Sequence, residues 1–99
     1  MATKKIADAS ALTARDLRAI SRVLSDPQRF QILKLIAAQP SKACTDLRTA
    51  LPITAPTLSH HLKELEAAGL IEISRRGKFA ELTFCRAKWD AYVAELSNL

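Results

Sequence analysis

The tightest constraint in this chain is a link of two residues. Pro52 and Ile53 are all that separate two segments that read as helices. The second covers residues 54–69. Thr54 offers its hydroxyl to a free first-turn amide. Pro56 falls in the first turn, where a missing N–H costs little. Gly69 stands where a left-handed residue would end the helix. Leu58, Leu62 and Leu65 recur at i, i+4 and i+7 and form one apolar stripe. Pro56, His60, Lys63 and Ala67 lie opposite, flanked by Thr57, Ser59 and Glu64. The first helix covers residues 41–51, with Ser41 as its cap, Ala43, Cys44, Leu47, Ala50 and Leu51 on its inner face, and Pro52 as its stop. Two short helices on so tight a turn, the second polar on its outward side, predict a helix-turn-helix. The second helix suits a DNA groove entered end-first: its N-terminal amides and positive pole favour phosphate, and its short side chains allow approach to base edges.

The flanking segments complete a domain over residues 11–99, behind a small, polar tail of residues 1–10 that is expected to be mobile. Thr13 and Asp16 form a capping-box pattern, with Leu12 and Leu17 placed as a hydrophobic staple. Leu17, Ile20 and Leu24 mark the inner face of that helix. Asp26-Pro27 restarts the chain as N-cap and first helical residue. Phe30, Ile32, Leu33, Leu35 and Ile36 then cover most of a helix stopped by Pro40, which predicts a central buried element. After Gly69, residues 70–74 and 79–84 alternate around Arg75-Arg76-Gly77-Lys78, the pattern of a β-hairpin with a basic tip. A charged tip is ordinarily a solvated one; behind a helix-turn-helix it reads as a wing gripping phosphate through Arg75, Arg76 and Lys78. Residues 87–96 form a last helix. Trp89, Tyr92, Val93 and Leu96 share a stripe that a partner subunit, together with the first helix, would bury. The fold class is mainly α with a small β-hairpin.

Composition narrows the function classes. A chain of 99 residues suits one domain whose modest core gains from a dimer interface. With 48% hydrophobic and 25% charged residues it reads as globular. A net charge of +5 favours an acidic partner, double-stranded DNA first. No apolar run reaches the roughly 18 residues of a membrane span, and Lys4-Lys5 leads into no signal-peptide core. Two distant cysteines make no disulfide scaffold. The expected location is the cytoplasm, with no membrane partner. No nucleophile–base–acid set or phosphate loop is present, so an enzyme is not expected.

The order helix, helix, helix-turn-helix, basic wing, helix, together with LSDPQRFQIL at residues 24–33 and PTLSHHLKELEAAGL at residues 56–70, resembles the ArsR/SmtB family of bacterial winged-helix repressors. The resemblance covers about residues 17–96. It implies a cytoplasmic homodimer joined through its first and last helices, seated on an inverted-repeat operator and released when a metal, metalloid or oxidant is sensed. Family DNA contacts, carried over, fall on Ala55, Pro56, Thr57, Ser59, His60 and Lys63, beside the capping Thr54. Ala55 and Pro56 replace positions that are often longer and polar, so base reading leans on Ser59 and His60.

The family's sensing sites do not carry over. Its metalloid sensors place a Cys-x-Cys pair before an acid-Leu. Here, aligned on Asp46-Leu47, those positions hold Ala43 and Thr45, with Cys44 between them. Its zinc sensors place Asp/His and His/Glu ligands on the last helix, and this chain has Asp90 and Glu95 there but no histidine after His61. No metal and no cofactor is expected. Cys44 and Cys85 remain candidates for a thiol sensor; the plainer reading makes Cys44 a small buried hydrophobe beside Leu47 and Leu51. His60 points outward as a DNA contact. His61 flanks the leucine stripe, either packed and hydrogen-bonded or meeting phosphate. Two other readings stay open: a regulator of this fold with no small-molecule sensor, and a winged-helix module whose basic face meets an acidic protein.

Overall fold

The structure, a computed structural model, describes residues 12–99. The tail expected over residues 1–10 lies outside them. Helix α1 (Ala14–Leu24) starts as its sequence dictates. Thr13 Oγ1 accepts from the Asp16 amide at 3.0 Å, and Asp16 Oδ2 accepts from the Thr13 amide at 3.2 Å, which completes the capping box. Helix α2 (Pro27–Ala37) is capped by Asp26, whose Oδ1 accepts from the amides of Gln28 and Arg29 at 2.9 and 3.4 Å. Arg29 Nε donates back to the Val23 carbonyl at 2.9 Å and fixes the bend between the two helices. Ile32, Leu33 and Ile36 of α2 are buried, but Phe30 is 37% exposed. The helix is therefore central on one side only, and its other side opens on a groove with Phe84 and Trp89.

The next segment departs from expectation. Ser41 caps nothing. Lys42 and Ala43 form a short strand, β1 (Lys42–Ala43), and helix α3 (Cys44–Ala50) starts only at Cys44, with Ala43 as an N-cap lacking a side-chain bond. Strand pairing with a distant segment claims these two residues, and a local cap signal cannot reveal such a partner. Ala50, assigned to the inner face, is exposed. Only Leu47 of α3 is fully buried.

Helix α4 (Ala55–Ala67) has the predicted bounds. Its end is a complete Schellman motif: the Leu70 amide reaches the Leu65 carbonyl at 3.1 Å, the Gly69 amide reaches Glu66 at 3.0 Å, and Gly69 has φ of +82°. Strands β2 (Ile71–Arg76) and β3 (Phe79–Phe84) pair antiparallel from Ile71↔Phe84 to Arg76↔Phe79, and β1 joins the far edge of β3. Arg75 and Arg76 thus belong to the strand and not to the turn. The turn is Gly77-Lys78 alone, with a positive φ of +59° at Gly77 only, as a type II′ turn requires.

Helix α5 (Arg86–Ser97) follows Cys85, whose amide donates to the Leu70 carbonyl at 2.9 Å. Its expected stripe divides. Tyr92 is buried within the chain, its hydroxyl 3.0 Å from Ser21 Oγ of α1, and Trp89 is half-buried between the rings of Phe84 and Tyr92. Val93 and Leu96 stay open, at 40% and 46% exposure. Lys88 Nζ meets Asp16 Oδ2 at 3.2 Å and gives α1 and α5 a second tie. One core joins Ile20, Ile32, Ile36, Leu47, Leu58 and Leu82, and each such side chain contributes about 1.5–3 kcal/mol.

Candidate nucleic-acid interface

The leucine stripe decides how α4 sits. Leu58, Leu62 and Leu65 are buried against the core, so the remaining face must point away. Ala55, Pro56, Thr57, Ser59, His60 and Lys63 are all exposed. The helix start is tightly organised: Thr54 Oγ1 accepts from the Thr57 amide at 3.3 Å and donates to Thr57 Oγ1 at 2.9 Å. With the Thr57 amide taken and Pro56 lacking one, anion capture at this end rests on the amides of Thr54 and Ala55.

The wing stands beside this face. Arg75, Arg76 and Lys78 are exposed. Strand alternation sends Arg75 to the side of Ile71 and Ile73, toward α4, and Arg76 to the opposite side. A crevice of about 200 Å³ separates helix from wing. Leu58, Leu62, Ile73 and Leu82 line it, and Ser59, Lys63, Arg75 and Arg48 bring polar groups to it. Arg48 was absent from the sequence-derived site. It also lines a shallow recess with Thr45, Thr49, Ile53 and Ala55, at the turn between α3 and α4. The signal existed: Thr45, Arg48 and Thr49 recur at i, i+3 and i+4 and are all exposed, a polar stripe where the first helix of such a motif crosses the DNA backbone. Phe79 is a second omission. It opposes Arg76 at the wing tip and is 64% exposed. Glu81, two residues on, interrupts the positive charge along the β3 edge of the wing, where it lines a recess with Arg48, Arg75 and Lys78.

The two histidines part company. His60 is exposed, whereas His61 is 6% exposed on the inner side of α4, its Nε2 3.1 Å from Gln28 Oε1 of α2. The packed, hydrogen-bonded reading of His61 is the one the structure favours over a phosphate contact. Their ring centroids lie 6.0 Å apart with a 49° tilt. Both cysteines are free and half-buried. Burial pushes the Cys85 thiol up, Glu72 adds to this, and Lys88 opposes it. Cys44 lines both the helix–wing crevice and the recess holding Arg75 and Lys78. Among the described residues no group of three or more His, Cys, Asp or Glu side chains is placed to hold a metal, and no helix is long and apolar enough to cross a membrane.

Comparison with known proteins agrees with this geometry. A family of helix-turn-helix domains matches residues 24–74. The arsenical resistance operon repressor of Staphylococcus xylosus is 38% identical over 66 residues, 67% of this chain and 62% of that protein, so the match spans under two thirds of the relative's length. An ArsR-like transcriptional regulator from Rhodococcus superposes with a TM-score of 0.75 at 25% identity, covering 85% of this chain and 78% of its own. A homodimeric winged helix-turn-helix DNA-binding domain from Mycobacterium bovis, described as a possible ArsR-family regulator, shares the fold with a TM-score of 0.68 at 22% identity, covering 85% of this chain and 79% of its own.

Proposed function

Since this chain belongs to the helix-turn-helix domain family, among the ArsR-like winged-helix regulators, we propose that it is a homodimeric, sequence-specific repressor of transcription. It acts on an inverted-repeat operator in the cytoplasm, through a DNA-binding and dimerisation domain of residues 11–99. One observation carries the reading. The outward face of α4 is free of the chain's own packing and runs across the crevice to a wing bearing Arg75, Arg76 and Lys78. Ser59 and His60 read base edges; Lys63 and the wing cations meet phosphate. Arg48 on α3 joins them at the backbone. Val93 and Leu96, exposed on α5, support a dimer through the terminal helices.

The test is fluorescence anisotropy with a duplex from upstream of the chain's own gene and with a scrambled duplex. Tight binding to the first and weaker, salt-sensitive binding to the second are expected. His60→Ala should lose more on the first than on the second. Equal losses would remove His60 from base reading, and affinity indifferent to salt would favour an acidic protein as partner.

Release by a thiol-directed effector is supported at Cys44 rather than Cys85. An adduct on Cys44 would stand between helix and wing, beside Arg48 and Arg75. Burial pushes the Cys85 thiol up, which lowers its thiolate fraction at neutral pH. N-ethylmaleimide should release DNA from the wild type and from Cys85→Ser but not from Cys44→Ser. Retention of DNA by the alkylated wild type would leave a regulator without a thiol sensor.

A further inference from the structure

Behind the reading face of α4 lies a polar group in an apolar setting. His61 sits beside Leu58, Leu62 and Leu65 on the buried side, and its only hydrogen-bond partner among the described residues is Gln28, in the first turn of α2. With Gln28 Oε1 accepting, the ring proton is on Nε2. Nδ1 is buried and has no hydrogen-bond partner among the described residues. A buried polar atom left unpaired is rare and costly enough to call for a role. Gln28 and His61 are far apart in sequence, and their bond joins α2 to α4. Both ends of that joint are set elsewhere: Gln28 by the Asp26 cap, and His61 by the leucine stripe around it.

Resting on the DNA-binding reading above, we propose that His61 is a positioning residue: neutral and tied to Gln28, it seats the reading helix on α2, and a proton arriving at Nδ1 unseats it. The proton goes onto the ring and no bond other than N–H forms. The new N–H has no acceptor. The charged and titratable groups facing the ring are Asp26 and Arg29 of α2 and His60 of its own helix. Arg29 and His60 oppose a second cation, as does the positive pole at the start of α2. Asp26 attracts one, but its Oδ1 is committed to the amides of Gln28 and Arg29, and moving it would uncap α2. Burial is the largest influence and holds the imidazole below its ordinary value of 6.5. The sign follows. A folded-state value below the unfolded one means that the unfolded chain binds more protons, so the docking of α4 is strongest above pH 6.5 and is lost as pH falls through the folded value.

The free protein provides the test, independently of any DNA. Amide NMR spectra are recorded from pH 7.5 to pH 5 together with the histidine ring signals. The His61 ring should titrate below 6.5, and the amides of residues 55–67 should shift or broaden with the His61 midpoint. His61→Asn should abolish that response. Gln28→Ala, which leaves the ring in place, should move the midpoint. Binding to the upstream duplex, compared at each pH between the wild type and His61→Asn, should weaken at least threefold more in the wild type across the His61 transition. Amides of α4 that ignore pH while His61 titrates would overturn the proposal, as would a His61 midpoint at or above 6.5. A protein that shows the amide response yet binds no duplex at any pH would instead overturn the regulator reading.

Discussion

Neutralising the wing tip separates phosphate grip from base reading. The double substitution Arg76→Gln/Lys78→Gln removes two exposed cations per subunit, four in the proposed dimer. Neither residue has an ion-pair partner among the described residues, so folding stability should change by no more than about 0.5 kcal/mol. Each cation that meets a phosphate contributes about 0.9 to the log–log salt slope. Four such contacts make the variant's slope shallower by about 3.6, or about two decades of affinity across a fourfold change in salt. Anisotropy titrations at several salt concentrations, on the upstream and on a scrambled duplex, measure this directly. Both duplexes should lose together, since phosphates carry no sequence. A slope within about one unit of the wild type would show that the wing does not touch phosphate. A loss confined to the upstream duplex would show that it reads bases.

Other consequences concern the frame behind this face. Leu58→Ala, at a side chain 1% exposed on the buried side of the reading helix, should cost about 2–5 kcal/mol in denaturant titrations, from lost burial and from the cavity left behind. Gly69→Ala should cost about 1 kcal/mol or more from the backbone alone, because an added Cβ would meet only the flexible Lys88 Cε at 3.4 Å while φ stays at +82°. Asp16 supplies an acid-sensitive tie between α1 and α5. Desolvation acts to raise its carboxyl, but bonds from the Thr13 amide, Lys88 and the Thr13 hydroxyl outweigh it and hold the group below 3.8. Its contribution is therefore present above pH 3.8 and lost as pH falls through the folded value, and Asp16→Asn should flatten the wild type's acid limb while removing about 1 kcal/mol or less near neutrality.

The local signals in the sequence were sufficient wherever a few neighbouring residues settle the backbone. Thr13 with Asp16, Asp26 with Pro27, and Thr54 through Gly69 fixed three helix starts and one helix end, because caps and Schellman bonds span only three to five residues. The leucine stripe likewise fixed which side of α4 faces out, and with it most of the candidate DNA contacts. Tertiary structure decided what depends on partners far along the chain. Lys42 and Ala43 left the third helix for the sheet because β3 offered them ladder bonds. Arg75 and Arg76 extended β2 because Ala80 and Phe79 stood opposite, so the two arginines point to different sides of the wing. Arg48 became part of the face only once α3, α4 and the hairpin closed a crevice around it, and His61 acquired a partner only when α2 packed across α4. A chain's own periodicity tells which face is buried; what that face meets is set by distant segments, and that is a property of the packed molecule alone.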